Sequence, residues 1–401
     1  MKSVDRVILA YSGGLDTSIA IPWIKEQFGL EVITLTLELG QGRDLEQARE
    51  KALKSGAVGA HIADVREDFV SGFVWPALRA GALYEGKYPL ATALSRPLIA
   101  RELAILAESE GAMAVAHGCT GKGNDQVRLE LGIVALAPNL KVIAPARQWG
   151  MSREDELEYA KARGIPTPVS VDNPYSVDEN LWGRSIEAGK LEDPLFEPPE
   201  EIYAWTKSVT DAPNDPTYVE IELREGVPSA IDGELMEGIP IIEYLNDLAG
   251  ANGIGRIDHL ENRLVGIKSR EIYEAPAAVV LNTCHRALEE LTLTKEQHRF
   301  KEVVSSHYAD LVYNGLWFSK HREDLDQYVL SSQKFVTGMV RIKFHKGVCT
   351  VVGRSSPYSL YSYEQATYDK SDQFDHRASE GFIKIYGLPI STQARHQPSS
   401  S

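Results

Sequence analysis

Up to about residue 165, short runs rich in Val, Ile and Leu alternate with stretches whose apolar positions recur every three to four residues. The runs predict strands at 6–10, 32–38, 60–64, 113–117 and 141–144, and the helical periods predict helices at 45–55, 66–78, 97–110 and 152–163. Strands alternating with helices imply parallel strands joined by crossover helices, so the region reads as a doubly wound α/β domain. Two prolines set local expectations. Ser95 and Pro97 look like a helix start, and Pro22, beyond the first turn of the helix after residue 14, predicts a kink or early break.

From Pro166 the texture changes to Pro-rich segments around 194–199 and 211–216, which cannot continue a helix or a central strand. Beyond them come an alternating strand at 218–223, helices at 239–248, 277–291 and 324–335, and a hairpin of 340–344 with 348–352 around His345-Lys346-Gly347. This second region reads as α+β. Near the end, Phe374, Phe382, Ile383, Ile385 and Tyr386 give a helix an apolar side suited to docking, and 391–401 reads as a disordered polar tail. The expected division is 1–168, 169–365 and 366–401.

The 401 residues carry a formal charge of −15, which opposes non-specific attraction to nucleic acid or an anionic membrane and favours small-molecule substrates. Cys119, Cys284 and Cys349 are too scattered for a CxxC site and odd in number, which points to a reducing cytosol rather than a disulfide framework. No signal peptide or membrane-length apolar run is evident, so a soluble, cytoplasmic chain is expected.

Two loops carry chemistry. Val7-Ile8-Leu9-Ala10 runs directly into Tyr11-Ser12-Gly13-Gly14-Leu15-Asp16-Thr17-Ser18, a strand, a Gly-Gly turn and a helix start. Adjacent glycines allow close backbone approach to an anion, and the N–H groups and dipole of the following helix favour phosphate. Ser12, Thr17 and Ser18 add side-chain donors. In the second loop, 117–128, three glycines in six residues accompany Lys122, Asn124, Asp125 and Arg128. Asn124 and Asp125 suit an amino group and the Arg128 fork suits a carboxylate, so the loop reads as an amino-acid recognition element. His117 and Cys119 are expected to pack rather than react.

The first loop lacks the Walker A pattern and resembles the S-G-G-x-D-[ST]-S loop of the ATP pyrophosphatases, the PP-loop enzymes of adenine nucleotide alpha-hydrolase type. That resemblance implies cleavage of ATP to AMP and pyrophosphate. Together with the T-G-K-G-N-D-Q-V-R core of the second loop, segment 173–185 (N-P-Y-S-V-D-E-N-L-W-G-R-S) and segment 261–273 (E-N-R-L-V-G-I-K-S-R-E-I-Y), the chain, except its tail, resembles the argininosuccinate synthase family.

The resemblance implies an ATP site of Ala10, Tyr11, Ser12, Gly13, Gly14, Leu15, Asp16, Thr17 and Ser18, with Leu37 and Gly118 near the nucleotide. It places citrulline against Tyr88, Asn124, Arg128, Ser176, Ser185, Glu261 and Tyr273, and aspartate against Thr120, Asn124 and Asp125. Asp16, Asp125 and Arg128 are the expected catalytic groups. One departure stands at Ala93, where many relatives have a serine. The implied reaction adenylates the citrulline ureido oxygen and then displaces AMP with the aspartate amine. Magnesium is expected on the ATP phosphates without a dedicated cage or a prosthetic group, and a homotetramer with a C-terminal oligomerisation helix is implied. Asp125 is expected to orient the attacking amine, so that Asp125→Asn spares citrulline-dependent pyrophosphate release. The alternatives are another PP-loop adenylating ligase or a non-catalytic nucleotide sensor; the acidic charge and scattered cysteines disfavour RNA-directed relatives.

Overall fold

Five parallel strands, β1 (Arg6–Ala10), β2 (Glu31–Glu38), β3 (Gly59–Asp64), β4 (Ala114–Ala116) and β5 (Lys141–Ile143), form a sheet in the order β3-β2-β1-β4-β5. The computed structural model describes residues 5–42, 44–166 and 175–397. Helices α1 (Leu15–Phe28), α2 (Leu45–Lys54), α3 (Arg66–Phe69), α4 (Trp75–Ala80), α5 (Ala91–Ser109) and α6 (Asp125–Leu136) lie in the crossovers, and α7 (Pro145–Gln148) and α8 (Arg153–Ala162) follow β5. The order reverses between β1 and β4, so the loops leaving these two strands open side by side at the carboxyl edge. Ligands of doubly wound sheets bind at such a switch point.

Neither proline breaks or starts a helix. Helix α1 continues through Pro22, and α5 begins at Ala91, with Pro97 inside it. An interior proline costs about 3 kcal/mol. Ile19, Ile21 and Ile24 on α1, and Leu94, Leu98 and Leu103 on α5, are essentially fully buried, each contributing about 1.5–3 kcal/mol, so packing outweighs the lost bonds. Ser95 Oγ donates back to the Thr92 carbonyl within the helix instead of capping it. The helix expected at 66–78 is α3 and α4 joined by a wide turn, Val70–Val74.

The chain then builds two antiparallel sheets. Strands β6 (Ser176–Asn180), β7 (Gly183–Glu187), β11 (Arg256–Asn262) and β12 (Lys268–Glu274) pair in the order β11-β12-β7-β6. Strands β8 (Thr217–Arg224), β9 (Val227–Ile231), β10 (Glu234–Leu235), β13 (Gly338–His345) and β14 (Val348–Ser355) pair as β10-β9-β8-β13-β14. The β13–β14 turn is the two residues Lys346-Gly347, both left-handed at φ 48° and 80°, which explains the glycine. Helices α9 (Gly238–Ala251), α10 (Pro276–Thr292), α11 (Lys295–Tyr313) and α12 (Lys320–Gln333) complete the α+β part.

Hydrogen bonds fasten the end of β6 and the turn into β7 to the first half of the chain: Leu181 N to the Leu39 carbonyl after β2 (2.8 Å), Asn180 Nδ2 to the Ala91 carbonyl of α5 (2.9 Å) and Trp182 Nε1 to the Pro89 carbonyl just before it (2.9 Å). One hydrophobic cluster runs through both parts, containing Ile8, Leu37, Trp182, Tyr273 and Ile342. Accordingly, the first compact unit extends to Tyr358. The boundary expected at 168/169 lies outside the described residues.

The second unit begins at Ser359 and holds α13 (Tyr363–Ala366), α14 (Ala378–Tyr386) and α15 (Leu388–His396), none with a buried residue. The expected disorder from 391 is corrected as far as His396, which ends α15; residues 398–401 lie outside the described residues. Among the described residues no helix is long and apolar enough to cross a membrane.

Candidate active site

Gly14 is the N-cap of α1 and, having no side chain, leaves the first-turn N–H groups open to a ligand. Gly13 before it sits at φ 75°, a conformation that favours glycine. The Ser12 hydroxyl lies 3.2 Å from Thr17 Oγ1 and accepts from Gly14 N at 3.3 Å, so Ser12 and Thr17 frame the loop mouth. Ser18 differs from expectation. It is fully buried, donates to the Gly14 carbonyl at 2.7 Å and pairs with Tyr11 OH at 3.0 Å, so both side chains brace the loop from behind. Leu15 and Leu37 are also buried, while Ala10 ends β1. Asp16 accepts from Arg153 Nη1 on α8 at 2.9 Å.

The second loop leaves β4 beside this mouth. A Cβ at Gly118 would fall 2.9 Å from Thr17 Cγ2, so only glycine permits this approach of the two loops. Gln126 Nε2 donates to the carbonyls of Gly121 (2.7 Å) and Gly123 (3.2 Å), folding the loop over the start of α6. His117 packs as expected: Nδ1 accepts from Cys119 N and Nε2 meets Glu130 Oε1, each at 3.2 Å. Burial pushes the Cys119 thiol up to about 12, which makes it unreactive. Thr120 stands exposed in the loop.

Beyond the loop, a cavity of about 90 Å³ gathers Tyr88, Asn124, Asp125, Arg128, Ser185, Glu261 and Tyr273 from five elements and loops. Pairing Tyr273 with Ser185 across β12 and β7 turns that sheet's face toward α6. Glu261 accepts from Tyr273 OH at 2.8 Å and from Tyr313 OH at 2.7 Å, and Asn124 Nδ2 donates to Tyr313 OH at 2.8 Å. Asn124 Oδ1 accepts from Leu264 N at 2.9 Å. Asn124 is thus largely committed to joining α6, α11 and the turn after β11. Tyr88 stacks on Tyr273 with ring centroids 4.2 Å apart. Ser176 is exposed and outside the cavity lining.

Arg128 is buried, donates to the Tyr313 carbonyl and to Asp125 Oδ1, and keeps a buried Nη2 that has no partner among the described residues. An unpartnered guanidinium nitrogen at a cavity wall is a ready donor for a carboxylate. Asp125 also accepts from Arg96 at 2.7 Å, and Arg96 contacts Asp178 on β6. Burial alone would raise the Asp125 carboxyl, but Arg96 and Arg128 hold it down at about 2. It is a fixed anion, far too weak a base to take a proton from an ammonium.

Sequence reasoning missed Asp178, Glu187, Arg263 and Glu271 in the cavity wall and Arg96 behind it, and named Thr92 only as a candidate substitute for the hydroxyl absent at Ala93. Strand alternation contained the signal for two of them. Glu187 lies two residues from Ser185, and Glu271 two from Tyr273, hence on the same strand faces. Burial and the adjacent Glu187 carboxylate raise the Glu271 carboxyl to about 9, while Arg263 contacts both acids. Ala93 is buried on α5, and its neighbour Thr92 lines the cavity.

A Gly-Gly loop at the mouth of α1, with an amino-acid-sized polar cavity across the β1–β4 switch point, defines an ATP-dependent ligase of the PP-loop type. The chain belongs to the argininosuccinate synthase family. Residues 6–166 match the model of the arginosuccinate synthase N-terminal HUP domain, and 175–393 match the arginosuccinate synthase C-terminal domain. The argininosuccinate synthase of Gloeobacter violaceus is 58% identical over 391 residues, covering 97% of this chain and 98% of that one. Those of Dehalococcoides mccartyi (57% over 394 residues, 98% and 97%) and Symbiobacterium thermophilum (55% over 397 residues, 99% and 99%) are similar over nearly the same span. It is an AMP-forming carbon–nitrogen ligase of arginine biosynthesis, with ATP as a substrate.

Proposed function

We propose that ATP, L-citrulline and L-aspartate are converted here to AMP, diphosphate and argininosuccinate by the residues described above. The observation that carries this reading is the contact of the helix-mouth loop with the loop that leads into the Arg128–Glu261–Tyr273 cavity. In the first step the ureido oxygen bonds to the α-phosphorus and the bond to pyrophosphate breaks. Ser12, Thr17 and the first-turn N–H groups of α1 receive the departing charge. The helix dipole supplies only about 0.3–1 kcal/mol, up to about 2 when partly buried, so the hydrogen bonds and magnesium must do most of the rest. Magnesium would be held through the ATP phosphates and water and would neutralise part of the charge developing there.

In the second step the aspartate nitrogen bonds to the ureido carbon, and AMP leaves with the electrons of the C–O bond. Arg128 Nη2 anchors the citrulline carboxylate, while Tyr88, Ser185, Glu261 and Tyr273 frame its chain and Ser176 borders the entrance. Gly118 and Leu37 flank the nucleotide. Asp125, with Thr120 and Asn124, orients the aspartate as a fixed anion, and the amine proton leaves to solvent. Asp16, tied to Arg153, sits where it can act on the phosphates or their magnesium. The Thr92 hydroxyl takes the place of the one absent at Ala93. Pyrophosphate release from ATP is expected with citrulline alone and not with aspartate alone; release independent of citrulline overturns this reading.

The proposed division is a nucleotide-binding domain (1–168), a synthetase domain (169–365) and a C-terminal oligomerisation segment (366–401) in a cytoplasmic homotetramer. Support for the last point comes from Phe382, Ile383, Ile385 and Tyr386 on α14, all at least 65% exposed, an apolar face that a second copy of the chain would cover. Sedimentation is expected to show a tetramer for the full chain and a smaller species for a chain ending at Tyr358. An unchanged mass after truncation contradicts the assignment.

A further inference from the structure

Helix α2 is polar, with Ala52 its one buried residue, yet it lies directly against the Gly-Gly loop. A Cβ at Gly13 would meet Ala48 Cβ at 3.4 Å, and one turn on, Lys51 Nζ donates to the Gly13 carbonyl at 2.7 Å. Lys51 is half-buried, and among the described residues no carboxylate pairs with it. Its neighbours on the same helix behave differently: Lys54 pairs with Glu50, and Arg49 with Glu46, at the exposed surface. The ammonium therefore stands two residues before the first helical residue of α1, with one donor spent and no counter-charge.

We propose that Lys51 is a phosphate-binding residue of the ATP site, donating from its remaining N–H groups to the pyrophosphate as it departs. The assignment rests on the phosphate reading of the Gly-Gly loop. An ammonium is a compact point charge suited to phosphate oxygens, and the flexible four-carbon stem lets it follow the anion while staying bonded to Gly13. Burial lowers the Lys51 pKa, a cost that the anion offsets when bound. This also explains how an overall acidic chain holds a polyanion at that point: the positive charge is placed locally, on a helix that otherwise contributes little to the core.

The test compares Lys51→Met, which keeps the stem and removes the charge, with Lys51→Arg and with Lys54→Met on the same helix. Binding of pyrophosphate, AMP and citrulline to each full-length protein is measured by calorimetry. Lys51→Met is expected to weaken pyrophosphate about 10- to 100-fold while AMP and citrulline affinities stay within a few-fold of wild type, and Lys54→Met should leave all three unchanged. Lys51→Arg should recover most of the pyrophosphate affinity, and serves alone should Lys51→Met not fold: its affinity must then become steeply salt-dependent as a retained ion pair requires. Wild-type pyrophosphate affinity in Lys51→Met overturns the proposal, as does equal loss of all three ligands, which marks a structural role. Failure of the underlying reading looks different: the wild-type protein itself would not bind pyrophosphate.

Discussion

Gly14→Ala will abolish adenylation, lowering citrulline-dependent pyrophosphate release by at least about 100-fold, without unfolding the protein. The residue sits at φ −69° and ψ 173°, which alanine adopts freely. A Cβ there would meet only Ser12 Oγ, at 3.2 Å, within 4 Å; otherwise it projects into the open mouth of the loop. The substitution also removes conformational freedom from the unfolded chain, worth about 0.4–1 kcal/mol in favour of folding. Thermal melting should therefore stay level or rise slightly while activity vanishes. Normal turnover would sink the phosphate assignment. Gly13→Ala would confuse the two effects, because its φ of 75° strains any side chain.

Asp125→Asn will cost both half-reactions, about 100-fold each, contrary to the expectation drawn from the sequence that citrulline activation would be spared. The reason is its partners. Asp125 holds Arg96 and Arg128 together, and Arg128 carries the unpartnered donor proposed above for the citrulline carboxylate. A neutral amide leaves the buried Arg128 guanidinium without its counter-charge, a change costly for a desolvated ion and sufficient to shift it. Single-turnover pyrophosphate release, with and without aspartate, separates the steps. Full release with only the second step lost would restore the simpler role. The pH response follows from the depressed carboxyl: the ion pair stabilises the fold above the usual carboxylate range, and that contribution disappears as pH falls toward about 2.

The parallel sheet was legible because its central strands are buried on both faces: β1 is an almost unbroken apolar run, and β2 is rich in β-branched residues with only its two ends less than fully buried. The sheet that builds the substrate cavity was not. Strands β6, β7, β11 and β12 read S-V-D-E-N, G-R-S-I-E, R-I-D-H-L-E-N and K-S-R-E-I-Y-E, because one of their faces must present hydroxyls, carboxylates and guanidinium groups to a ligand. Function here erases the alternation on which strand recognition depends. Helix α11 was also missed, although Thr294 and Gln297 form a capping box at its start.

At the site, residue types pointed to the right loops but not to how their polar atoms are used. Ser18 and Asn124 look like ligands in sequence, yet their hydrogen bonds are spent on Gly14, Tyr11, Tyr313 and Leu264. Conversely, Arg96 looked like part of an ordinary helix until folding set it against Asp125 and Asp178. Such pairings join residues far apart in the chain, and no local pattern encodes them.

In the proposed reaction the two loops at the β1–β4 switch point bring the citrulline ureido oxygen to the α-phosphorus of ATP. Citrulline labelled with heavy oxygen at the ureido position tests it most directly, followed by mass spectrometry of the nucleotide product after turnover with aspartate. One labelled oxygen is expected in the phosphate of AMP. Unlabelled AMP, or ADP as the product, would contradict it.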